Sequence, residues 1–246
     1  MVTIQEMLGR STSADINVNV DIVFAIDATN SMEPLIEAVK HLTLNFKDVV
    51  SAGLKGKRRI INQLRTKVIV FRDYYVDEND AMQESRFFIL PEENKEFRDF
   101  VSGIKCGGGG DEPESGLEAL ALAMQSDWVQ DGDKQRHIIC LFSDAPAHPL
   151  EQQRDGIPDC YPKGMFKSIN DLYYAWGGWQ TSLYNAANTT QMDPSAKRLI
   201  LFAPETSPWV EMSNDLDNTW RVGMKKNNGG RDLDPKEVVK SICESV

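Results

Sequence analysis

Residues 18–32 read VNVDIVFAIDATNSM, and the fold is decided in this stretch. From Val18 to Ile26 an alternation of apolar and polar residues passes into an unbroken apolar run, the pattern of a strand entering a sheet covered on both faces. Asp27 to Ser31 interrupts it with polar side chains. Beyond the interruption Met32, Leu35, Ile36, Val39, Leu42, Phe46, Val49 and Val50 recur on one stripe of 3.6-residue period, which predicts a helix. Ser31 suits its N-cap, Pro34 its first turn and Gly53 its exit.

The same alternation continues outward. Lys67–Tyr75 (KVIVFRDYY) predicts a second strand, and Arg86–Leu90 (RFFIL) a third, near enough to pair antiparallel with it. Lys95–Ile104 predicts a short helix carrying Phe97, Phe100 and Val101. The loop Gly107–Glu114 follows, then a helix with Leu117, Leu120 and Met124 inward. His137–Phe142 (HIICLF) and Arg198–Phe202 (RLILF) predict buried strands, Trp220–Met224 a short edge strand, and Asp234–Val246 a closing helix with Val238, Val239 and Ile242 inward. Strands alternating with helices imply one doubly wound, mostly parallel α/β sheet with one antiparallel edge strand and helices on both faces. No repeat or linker divides the chain. One domain over 1–246 is expected, with 1–17 as an N-terminal extension and 148–195 as a long insertion.

Bulk composition narrows the function classes. The 246 residues carry a formal net charge of −10 and a sequence pI near 4.9, which disfavours nucleic acid and anionic membranes, both of which want a basic patch. An acidic chain suits a cation or a basic partner. The four cysteines, Cys106, Cys140, Cys160 and Cys243, form no CxxC pair, so neither thiolate metal spacing nor a disulfide framework is visible. Cys140 sits in an apolar run as a small core residue. Met1–Val18 lacks the apolar core of a signal peptide, and no apolar run approaches the roughly 18 residues of a membrane span. A cytoplasmic location is the expectation.

In sheets of this kind ligands bind beyond the carboxyl ends of the strands, so the polar loops that follow apolar runs are the candidates. Three stand out: Asp27–Ser31, Gly107–Glu114 and Ser143-Asp144. The first offers a carboxylate, then hydroxyls two and four residues later at Thr29 and Ser31. The second places Asp111 behind four glycines that permit close backbone approach. The third offers Asp144 at a strand end. Oxygen donors on loops suit a hard cation: Mg²⁺ first, with Mn²⁺ or Ca²⁺ possible. Each residue also has a plainer reading. Asp27 and Ser31 can cap the helix, Thr29 can be a turn residue, and Asp111 can belong to a solvated acidic lead-in. His148 reads as a packing or capping histidine. The aromatics between Tyr161 and Tyr184 read as core of the insertion or as anchors of a partner surface. Asn227-Asn228-Gly229-Gly230 reads as a turn.

DATNSM after an apolar strand resembles the DxSxS metal-ion-dependent adhesion site of von Willebrand factor A (VWA) and integrin I-type domains, with Thr29 in the first serine position. Asp144 matches the aspartate that ends the fourth strand of that pattern. The family's threonine, about five residues before a helix-start glycine, falls on Asp111 when counted back from Gly116. The phrases GGGDEPE (108–114), FRDYY (71–75) and SDAPAH (143–148) further resemble VWA domains of atypical alpha-kinases and of bacterial proteins associated with kinase or phosphatase partners. The resemblance implies a metal set of Asp27, Thr29, Ser31, Asp111 and Asp144, a protein partner whose carboxylate completes the shell, and no catalysis. A carboxylate at Asp111 in place of a hydroxyl would tighten the metal and lower its residual positive charge.

Two other functions compete. A haloacid-dehalogenase-like phosphotransferase also sets an Asp after the first strand and binds Mg²⁺, but it needs a second Asp where Thr29 stands. A VWA domain can also hold its metal purely as a staple. The P-loop, the GxSxG elbow and the GxGxxG fingerprint are absent.

Overall fold

The apolar run becomes β1, Ile16–Asp27, whose residues from Val18 onward are all buried. The computed structural model describes residues 16–43, 46–53, 59–108, 112–150, 157–177 and 190–246. After β1 a short 3-10 turn, Asn30–Met32, leads into α1, Glu33–Thr43, and α2 spans Phe46–Gly53. Then come β2 (Arg59–Phe71), β3 (Met82–Glu84), β4 (Phe88–Leu90), α3 (Asn94–Gly103), α4 (Gly116–Met124) and β5 (Gln135–Phe142). The chain continues through α5 (Ile169–Gly177), β6 (Lys197–Ala203), α6 (Trp209–Asp215), β7 (Thr219–Gly223) and α7 (Pro235–Ser245).

The sheet runs β3-β2-β1-β5-β6-β7, with β4 also paired to β2. Pairs β1–β2, β1–β5, β5–β6 and β6–β7 are parallel, while β3 and β4 run antiparallel to β2. The expected antiparallel edge therefore consists of two short segments. Side chains alternate across the strands, as period two demands. Val18, Val20, Ile22, Phe24 and Ile26 face the layer of α1, α2, α3 and α7. Val23 and Ala25 face the layer of α4, α5 and α6. Both faces are dry, which is why the core strands read as continuous apolar runs.

Several boundaries move for physical reasons. β2 begins at Arg59, well before the expected Lys67, because its polar residues Asn62 and Arg65 are bonded to Asn19 and Asp21 of β1. Arg65 reaches Asp21 on β1 with Nε–Oδ1 2.8 Å and Nη2–Oδ2 2.5 Å. It ends at Phe71 because Asp73 builds a turn, its carboxylate accepting from the Tyr75 amide at 2.9 Å and its carbonyl from Asp77 at 2.8 Å. Tyr74 and Tyr75 thus leave the strand. Ser31 does not cap α1, since it lies inside the 3-10 turn. α4 is buried on nearly every side rather than along one stripe, because the segment after β5 covers its outer face. There Tyr161, Phe166 and Trp176 are core residues, and the Tyr161 hydroxyl donates to Glu118 at 2.7 Å. Trp179 and Tyr184 lie outside the described residues.

The parallel strands all end at one edge. β1 lies between β2 and β5, so crossovers leave it in opposite directions, and a crevice opens beyond Asp27 and the end of β5.

Candidate metal centre

Backbone hydrogen bonds tie the three candidate loops together at that edge. Gly107 N donates to Ala28 O at 3.0 Å, and Ala28 N to Phe71 O at 2.8 Å. The Asn30 amide donates to Gly108 O at 3.1 Å. Glu114 N donates to Pro146 O at 3.0 Å, and His148 N to Glu114 O at 2.8 Å. Loops far apart in sequence thus share one rim.

Four of the five expected residues meet there. Thr29 donates to Asp27 Oδ1 twice, through its amide at 2.9 Å and its hydroxyl at 2.7 Å. The Thr29 and Ser31 hydroxyls lie 3.2 Å apart, and Ser31 Oγ donates to Asp144 Oδ1 at 3.0 Å. A chain of hydroxyls therefore joins the carboxylate that ends β1 to the one that follows β5. Asp111 lies outside the described residues. Asp27 does not cap the helix, as its plainer reading has it; its Oδ1 organises the turn that holds Thr29, the residue before the 3-10 turn.

Two participants carry no sequence motif. Ser143 Oγ donates to Asp27 Oδ2 at 2.9 Å, so the residue before Asp144 orients the carboxylate at the end of the neighbouring strand. Gly229 N donates to Asp144 Oδ2 at 2.7 Å, and Asn227 N to Asp144 O at 2.9 Å. The Asn-Asn-Gly-Gly turn after β7 is thus part of the site's wall. Lys226 of that turn pairs with Glu112 at 2.6 Å, joining it to the glycine-rich loop. His148 is a packing histidine, buried and 3.1 Å from Asp73 Oδ2.

The electrostatics ask for a cation. Asp27 is 0% and Asp144 1% exposed. Burial, with a smaller contribution from the neighbouring Asp144, pushes the Asp27 carboxyl up to about 6 despite the three hydrogen bonds that oppose it. Among the described residues, no Lys, Arg or His forms an ion pair with either carboxylate. Two buried negative groups without a counter-charge are costly, and one divalent ion between them cancels the sum. The donors are all oxygen, which fits a hard cation. No cluster of three His, Cys, Asp or Glu is placed to hold a metal among the described residues, so hydroxyls must complete any site here. Thr29 is buried, whereas Ser31 and Asn30 are exposed, so the cluster opens to solvent on its Ser31 side. A polar groove of about 580 Å³ lies alongside, lined by Arg72, Asp77, Lys105 and Gly108 among others. Thr29 occupies the position where a phosphotransferase would carry its acid/base carboxylate, and its hydroxyl is held by Asp27.

The family model described as von Willebrand factor A domain matches residues 21–157. The alpha-protein kinase vwkA of Dictyostelium discoideum is 30% identical over 147 residues, covering 59% of this chain and 21% of the kinase. The chain thus spans about a fifth of the length of that curated relative. Among solved structures, the pilus adhesin SpaC of Lactobacillus rhamnosus GG in its open conformation aligns with a TM-score of 0.49 at 13% identity, over 92% of this chain and 30% of the adhesin. Proximal thread matrix protein 1 from the mussel byssus, solved with a zinc-occupied MIDAS motif, aligns with a TM-score of 0.46 at 11% identity, over 94% of this chain and 47% of that one. No helix of the described residues is long and apolar enough to cross a membrane.

Proposed function

Because this chain belongs to the von Willebrand factor A domain family, we propose that it is a non-enzymatic protein-binding module whose grip depends on one divalent cation. The ligand set is Asp27, Thr29, Ser31 and Asp144, with Asp111 from the glycine-rich loop as the fifth member. One observation carries this reading: two buried carboxylates are joined by two hydroxyls where, among the described residues, no basic side chain balances them. Mg²⁺ is the proposed ion, with Mn²⁺ a close substitute, because few protein ligands, all oxygen, leave positions for water. Ca²⁺ ranks below both.

When bound, the ion would supply a positive, exchangeable position suited to a partner carboxylate. The chain's own residues do the rest. Asp27 and Asp144 neutralise the charge, Thr29 and Ser143 orient Asp27, and Ser31 links Thr29 to Asp144. The partner is a protein in a kinase-linked signalling complex, a reading supported by the likeness to the VWA-bearing alpha-kinase. The whole chain is read as one domain.

The test is a pull-down from extract with wild type in Mg²⁺, wild type in EDTA, and Asp27→Ala in Mg²⁺, with folding followed by circular dichroism. Partners lost in the last two samples while the fold persists support the module. Unfolding in both would make the metal a staple instead, and metal-dependent phosphate release from a phosphomonoester would restore the enzyme reading.

A further inference from the structure

The Asn-Asn-Gly-Gly turn touches both halves of the metal centre through one residue. Gly229 N–H points at Asp144 Oδ2 from 2.7 Å in a buried setting. The same residue packs on the backbone of Ser31 so closely that a Cβ at position 229 would lie 1.8 Å from the Ser31 carbonyl oxygen and 2.9 Å from its carbon. That neighbour is main chain and cannot swing aside. Its φ of +63° is in addition one that a side chain resists. Gly229 thus locks the carboxylate that follows β5 and the loop that follows β1 against each other.

The lock has a chemical consequence. With Oδ2 turned to the Gly229 N–H, Asp144 directs Oδ1 toward the hydroxyl chain. Asp27 is likewise oriented, by Thr29 at Oδ1 and by Ser143 at Oδ2, the Ser143 bond leaving Oδ2 a lone pair for the ion. Mg²⁺ and Mn²⁺ accept a carboxylate through one oxygen in a tight octahedron, whereas Ca²⁺ takes more oxygens and readily accepts both from one carboxylate. We propose that Gly229 is a positioning residue of the metal centre, holding Asp144 to single-oxygen ligation and so favouring Mg²⁺ and Mn²⁺ over Ca²⁺. This rests on the metal reading above, and goes beyond it in assigning a selectivity device to a loop that carries no ligand.

Gly230 is a built-in control. It shares the positive φ, +66°, but its missing Cβ faces Leu35 and Met224 rather than the site. Mn²⁺ binding to the full chain, read by electron paramagnetic resonance with Ca²⁺ as competitor, separates the two glycines. Gly229→Ala, whose Cβ forces the N–H away from Asp144, should weaken Mn²⁺ by about ten- to hundredfold, the usual effect of disturbing a partner of a metal ligand. Ca²⁺ should fall less, so that the Mn²⁺ preference shrinks, while Gly230→Ala keeps both affinities within about threefold of wild type. Equal loss of both ions in Gly229→Ala, equal loss in the two variants, or no loss in either overturns the assignment. A second measurement needs no variant: the Gly229 amide in the wild type should exchange its hydrogen more slowly once Mg²⁺ is added, and an unchanged rate counts against the lock. Failure of the wild type to bind Mn²⁺ at all would bring down the metal reading itself, an outcome distinct from the others.

Discussion

Replacing Asp27 by Asn should stabilise the metal-free protein and abolish its response to Mg²⁺, two effects of opposite sign from one side chain. Asp27 ordinarily titrates at 3.8, and burial pushes it up to about 6. At about 1.4 kcal/mol for each tenfold change in proton affinity, keeping it ionised in the folded state at pH 7.5 costs about 3 kcal/mol. Asparagine removes that charge. Its oxygen can still accept from the Thr29 amide and hydroxyl, and its NH₂ meets Ser143 Oγ, whose own proton can turn to Ala145 O at 3.3 Å. Allowing about 1 kcal/mol for the rearranged hydrogen bonds, the variant gains roughly 2 kcal/mol in EDTA.

The assay is urea unfolding at pH 7.5 in EDTA and in excess Mg²⁺. Wild type should gain about 2.7 kcal/mol when Mg²⁺ reaches a hundred times its dissociation constant, and the variant nothing, so the order of stability reverses. The pH dependence checks the cause. A carboxyl with a raised folded value binds more protons folded than unfolded between 3.8 and about 6. This contribution therefore makes metal-free wild type more stable as pH falls through about 6, with the full effect reached below 3.8, and the variant lacks it. An Asn variant less stable than wild type in EDTA, still gaining from Mg²⁺, would refute the reasoning.

Ser31→Ala should leave urea stability within about 0.5 kcal/mol, as surface changes generally do, yet weaken Mg²⁺ binding measurably by calorimetry, because the exposed Ser31 hydroxyl links Thr29 to Asp144. Arg65→Met strands Asp21, which is 0% exposed and holds Arg65 at two oxygens. A loss of about 3–5 kcal/mol by urea unfolding is expected, with much of it recovered on adding Asp21→Asn. His137 donates from Nε2 to Val129 O at 2.8 Å and accepts from Asp193 N at Nδ1, so it is neutral, and burial holds it below its ordinary 6.5. Below pH 6.5 the unfolded chain takes up this proton before the folded one does. Stability in an Asp27→Asn background should therefore fall as pH drops from 6.5, and His137→Gln should flatten the slope.

Much of this protein is legible in its sequence because the deciding interactions are local or periodic. A strand dry on both faces must be apolar throughout, so β1, β5 and β6 announce themselves as runs. Asp27, Thr29 and Ser31 lie within five residues, and Asp144 sits just beyond a strand end where ligands bind in such sheets. Other elements were hidden by their neighbours. The first half of β2 looks too polar for a buried sheet until Asp21 is seen opposite Arg65. The seven-residue α6 is too short to display a helical period, and Trp209 is placed in the core by its contact with Ala145 O at 2.8 Å. Ser143 and Gly229 belong to the site only through partners 116 and 85 residues away. The sequence by itself therefore determined the layered sheet and pointed to the five proposed ligands, through patterns and a family likeness legible without the fold. Only the tertiary structure decided how the carboxylates are oriented, because that depends on hydrogen-bond donors that folding brings in from distant loops.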